Sequence, residues 1–95
     1  MVNNRPHGYF MPNTIQLVAA RAGLGLSAQA LATEAGLGAN TVRRAESGGM
    51  QVLTPANAER LVATLEALGV TFLQADASGP GLRFAHRPDP VADPD

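Results

Sequence analysis

The stretch LSAQALATEAGLGANTVRRAE, running from Leu26 to Glu46, carries enough local punctuation to place two short helices and the turn between them. Ser27 is a good helix N-cap, because its hydroxyl accepts a hydrogen bond from one of the orphan N–H groups of a first turn. Ala28 to Ala35 are good or tolerable helix formers, with Leu31 and Ala35 spaced i, i+4 on one face. Gly36 falls where that helix must stop, and a residue just past a helix end often needs a positive φ. Ala32 is small, as two helices meeting at about 90–120° across a short turn require. Leu37 precedes the second helix, which turns Val42 and Ala45 inward and Ala39, Asn40, Arg43, Arg44 and Ser47 outward. Ser47-Gly48-Gly49 ends it.

The outward stripe has two readings. Arginine bonds bidentately to guanine and asparagine to adenine, so the stripe suits a DNA major groove. An ordinary solvated face carries the same residue types, and composition alone favours that plainer reading. The spacing of small, glycine and apolar positions around the turn points the other way. Together Arg21, Leu24-Gly25-Leu26-Ser27, Leu31-Ala32, Gly36, Thr41-Val42, Arg44, Glu46 and Gly48 resemble the Xre-type, lambdoid-repressor-like helix-turn-helix family, from about Leu17 to Val70. The resemblance implies a mainly α chain, a lambda-repressor-like four-helix DNA-binding domain whose third helix (residues 38–47) reads the major groove. Carried over residue by residue, it puts base readout on Ala39, Asn40, Arg43 and Arg44, and phosphate contacts on Ser27, Gln29, Gly38 and Thr41. It also implies a partly buried structural ion pair between Arg21 and Glu46. Two positions depart from the family pattern. The glutamine that usually opens the second helix is Ala28 here, with Gln29 one step later, ~100° further round. The N-cap of the reading helix, often serine, is Gly38.

Ninety-five residues suit one small domain with a limited core. The chain has no cysteine, which excludes disulfides and thiolate metal sites. No apolar run approaches the ~20 residues that span a bilayer, so a cytoplasmic protein without membrane association is expected. The formal charge is −1, but it is unevenly spread: residues 1–50 hold four arginines and two glutamates, residues 51–95 three arginines and six acids. The basic half contains the two-helix stretch. With so few cations a single copy should bind DNA weakly, since phosphate neutralisation supplies much of the affinity. Neither a catalytic site nor a metal or other cofactor is expected. There is no suggestive pair of acids and no glycine-rich phosphate loop, and the two histidines fall in arm-like or strand-end positions.

Residues 1–12 read as a flexible arm, for which plain disorder is favoured over a reach of Arg5 and His7 to DNA, while Tyr9 and Phe10 are out of character for such an arm. Residues 13–69 form the helical domain. Asn13 or Thr14 caps a first helix to about Ala22, with Leu17, Ala20, Arg21 and Leu24 on one face. A second stripe, Ile15, Val18, Ala19 and Ala22, calls for a cover. Thr54-Pro55 opens a fourth helix to about Leu68, with Leu61, Val62, Leu65 and Leu68 inward. Residues 70–87 read as a β-hairpin, Val70 to Gln74 and Leu82 to His86. An isolated hairpin is marginal in water, so Val70, Phe72, Leu82 and Phe84 are expected both to pack on the helices and to join a second copy in a two-fold homodimer. Residues 88–95 read as a disordered acidic tail. The function expected is a dimeric, sequence-specific repressor of transcription on double-stranded DNA. The alternative is an antitoxin or anti-activator that holds a protein partner through the hairpin or an apolar stripe.

Overall fold

Asn13 decides where the first helix begins. In the computed structural model, which describes residues 11–74 and 79–85, its side chain accepts from the Gln16 N–H at 2.8 Å, and Gln16 Oε1 accepts from the Asn13 N–H at 2.9 Å. This reciprocal pair satisfies two orphan donors and opens α1 (Thr14–Gly23). Ser27 Oγ accepts from the Ala30 N–H at 3.0 Å and caps α2 (Ala28–Ala35). At its far end Gly36 takes φ 71°, the left-handed conformation that glycine adopts cheaply. The Leu37 N–H then returns to the Ala32 carbonyl at 2.8 Å, so the chain turns sharply without orphaning that group. α3 (Ala39–Gly48) follows at once from Gly38, which brings no side chain to cap it. A single 3₁₀ turn (Met50–Val52) leads to α4 (Pro55–Ala67). Thr54 Oγ1 caps α4 by accepting from the Asn57 N–H at 3.1 Å, and Pro55 occupies a first-turn position where its missing N–H costs nothing.

The helices close on one apolar centre. α1 and α2 lie 93° apart, and α3 packs on α1, α2 and the 3₁₀ turn. Leu17, Leu31, Val42, Leu61 and Leu65 are fully buried there, with Ala20, Ala32 and Ala45 filling the close crossings. Leu68 departs from the inward stripe expected of α4. It is 38% exposed because it follows the last helical residue, while Ala58, one stripe earlier, is buried instead. Among the described residues no single helix is long and apolar enough to cross a membrane.

The hairpin forms from β1 (Val70–Leu73) and β2 (Gly81–Phe84), antiparallel, with Val70 opposite Phe84 and Phe72 opposite Leu82. Its strands are shorter than the sequence suggests: Gln74 and Ala85 lie outside them, and His86 and Arg87 fall outside the described residues. Alternate residues share a face, so Val70, Phe72, Leu82 and Phe84 look the same way, toward α1 and α4. These four positions pack on the helices of their own chain, the first of the two roles expected of them. Val70 is only 2% exposed inside its own chain's core, and Phe72, Leu82 and Phe84 pack against that core. The reason is that a lone hairpin must bury one face, and the helices of the same chain are the nearest cover. Gly23 makes room for this docking, since a Cβ there would collide with the Phe84 ring.

A polar clasp fixes the other end of the hairpin. Gln16 is 4% exposed. Its Nε2 donates to the Leu73 carbonyl at 3.0 Å and to the Gly81 carbonyl at 2.7 Å, one from each strand of the terminal pair. Gln16 and Gly23 stand about two turns apart on one side of α1, so the hairpin lies along that side. The stripe Ile15, Val18, Ala19 and Ala22 is left exposed, with Ile15 at 76%.

Candidate nucleic-acid interface

α3 is amphipathic in a way that sorts its residues cleanly. Val42 and Ala45 are buried, and Asn40, Arg43, Arg44 and Ser47 are exposed on the opposite side. Asn40 Oδ1 accepts from Arg43 Nη1 at 3.2 Å, an i, i+3 pair along the open face. Arg44 Nη2 leans back and donates to the Val52 carbonyl at 3.0 Å. A guanidinium has five N–H donors, so this tether limits the swing of a long side chain and leaves donors for another acceptor. Ala39 differs from expectation. It is half-buried and packs against the core.

The positions expected to meet phosphate lie on two elements. Ser27, Gln29 and Gly38 are exposed, and Thr41 is half-buried. The lone pair of Ser27 that caps α2 leaves its O–H free to donate. Gly38 presents the N-terminal end of α3, where N–H groups and the helix dipole favour an anion.

Arg21 braces the far end of α3. Its Nε donates to Glu46 Oε2 at 2.7 Å and its Nη2 to Glu46 Oε1 at 3.1 Å, while Nη1 donates to the Leu26 carbonyl at 2.9 Å. One side chain thereby ties α1, the α1–α2 loop and the last turn of α3 together. The hydrogen bond to Glu46 holds the Arg21 guanidinium above its ordinary range, with partial burial opposing. A cation whose folded pKa is raised stabilises fully below its unfolded pKa, so this contribution is complete through the neutral range and fades only in strong alkali. The two side chains are 22% and 12% exposed, well short of a solvated surface pair. Arg21→Ala is therefore expected to cost about 2–3 kcal/mol in urea unfolding, as loss of charged hydrogen bonds from a half-buried site does. A change under ~0.5 kcal/mol would place the bridge with ordinary surface pairs.

Two groups that shape the site escape sequence reasoning. The Val52 carbonyl is a backbone atom in a connector with no side-chain signal. Gln16, which seats the hairpin, interrupts an otherwise apolar helix face; only its place three residues after Asn13 hints at a cap.

A family model described as Helix-turn-helix matches residues 17–73, the span from α1 through β1 and more than half of the chain. No curated protein and no solved structure matches it.

Proposed function

The chain belongs to the Xre-type, lambda-repressor-like helix-turn-helix family, a family of DNA-binding regulators, and from that premise we propose that it is a sequence-specific repressor acting in the cytoplasm on double-stranded DNA. The observation that carries this reading is the open stripe Asn40, Arg43, Arg44 and Ser47 on a helix braced by the Gly36 turn at one end and by Arg21–Glu46 at the other. Asn40 and Arg44 supply base readout, as asparagine and arginine do toward adenine and guanine edges. Arg43 aligns Asn40 and adds a cation. Ser27, Gln29, Gly38 and Thr41 hold phosphates on either side and fix the register.

A single copy brings few cations to DNA, so we propose that two copies bind together, with half-sites centred about one helical turn, ~34 Å, apart. The hairpin, whose Phe72, Leu82 and Phe84 stay partly exposed, joins the second copy along a strand edge, and the exposed Ile15/Val18 stripe of α1 is the other surface for self-association. That same stripe supports the second reading, an antitoxin or anti-activator that holds a protein partner.

Footprinting on the DNA upstream of its own gene tests the proposal. The expected result is two protected half-sites in one groove register, with affinity falling on added salt by a log–log slope of about −0.9 per phosphate neutralised. Uniform, unstructured protection, or no protection at low ionic strength, would refute sequence-specific repression.

A further inference from the structure

A cleft of ≈ 840 Å³ opens between the start of α1, the 3₁₀ turn and the start of α4. Met11, Pro12, Met50, Leu53, Pro55 and Ala58 give it a largely apolar lining, and Gly48 and Gln51 bring it to the foot of α3. A concave apolar site of this size takes a group as large as one or two aromatic rings. We propose that its occupant is the chain's own Tyr9-Phe10 pair, two large apolar side chains immediately before the described residues.

Three observations select that occupant. First, Met11 already forms part of the wall, and Phe10 is the next residue, one Cα step of about 3.8 Å away. No linker has to be ordered, so the entropic cost of delivery is small. Second, the chain has four aromatic residues in all, Tyr9, Phe10, Phe72 and Phe84, and the last two are committed to the hairpin's packing. Third, the C-terminal segment is badly placed to compete. The described chain ends at Ala85, whose N–H donates to the Gly69 carbonyl beyond the end of α4. The cleft lies at the start of α4, roughly 20 Å away along a helix of this length. Residues 86–95 also offer only Val91 as a large apolar side chain.

The chain has one tyrosine and no tryptophan, so tyrosine emission reports on this segment alone. The experiment uses the full chain without DNA, which keeps its outcome separate from the DNA-reading proposal. In an isotope-filtered NOE measurement on uniformly labelled protein, and on a 1:1 mixture of labelled and unlabelled protein, Phe10 ring protons are expected to contact Met50 and Leu53 methyl groups within one chain. Phe10→Ser is expected to retain helical circular dichroism and to raise acrylamide quenching of Tyr9 about twofold or more. It should also lower the melting temperature by roughly 5–10 °C, the shift expected on losing most of one buried aromatic side chain from a domain of this size. Absence of those NOEs overturns the proposal. So do contacts found only across the mixture, which would assign the cleft to a second copy's segment, and so does a melting temperature that Phe10→Ser leaves in place.

Discussion

A protein carrying Asn40→Ala and Arg44→Ala together is expected to fold normally and lose its preferred site. Both side chains are exposed on α3, and truncating exposed side chains generally changes stability by no more than ~0.5 kcal/mol. Each bidentate base contact is worth about 1–3 kcal/mol of discrimination, so the pair should lose roughly 30-fold to 10⁴-fold in affinity for each half-site of the operator. On random duplex the loss should be small and confined to a salt slope shallower by about one per bound copy, the signature of one missing cation in each. Titration of operator and scrambled duplexes at one fixed salt concentration reads both numbers. Equal losses on the two would mean that these residues neutralise phosphate, and that bases are read elsewhere.

The second large effect belongs to a residue that touches no DNA in this scheme. Gln16→Ala removes the donor to two hairpin carbonyls and half of the capping box that opens α1. A buried acceptor left without its donor costs about 1–3 kcal/mol and a lost cap interaction about 1 kcal/mol. The variant should therefore be less stable by about 2–4 kcal/mol, a large share of the total for a small domain. The loss should also be local at first. Hydrogen exchange at β1 and β2 amides should accelerate well before exchange in α2 and α3, because the clasp holds the hairpin and not the helical core. Acceleration by one common factor throughout would show that the hairpin and the helices open as one unit.

The parts of the molecule that sequence makes legible are those governed by neighbours within a turn or two. Ser27, Gly36 and Thr54-Pro55 each dictate a helix boundary through bonds to residues no more than five positions away, and α2 and α3 stand where those residues put them. The exposed face of α3 follows from the inward Val42/Ala45 stripe for the same reason. What sequence leaves open is which surface meets which. Alternation along β1 and β2 marks an apolar face, but whether a second copy or the chain's own helices cover it depends on how α1 and α4 are placed. Here Gly23 and Gln16 seat the hairpin on α1, the first by giving Phe84 room and the second by gripping Leu73 and Gly81. Neither belongs to an apolar stripe, so periodicity passes over both. The tether from Arg44 to Val52 is hidden likewise, since a backbone carbonyl carries no residue code.

The bridge between Arg21 and Glu46 has an electrostatic side that its bracing role conceals. An acid at the foot of a helix lies against that helix's own partial negative charge, and one aimed at a polyanion would push the polyanion away. Glu46 has both oxygens occupied by a guanidinium from another helix, so an arriving nucleic acid strand meets a cancelled dipole there instead of a bare carboxylate. If Arg43 and Arg44 meet DNA as proposed, a substitution at Arg21 is expected to weaken attraction to DNA of any sequence even in whatever fraction of molecules remains folded.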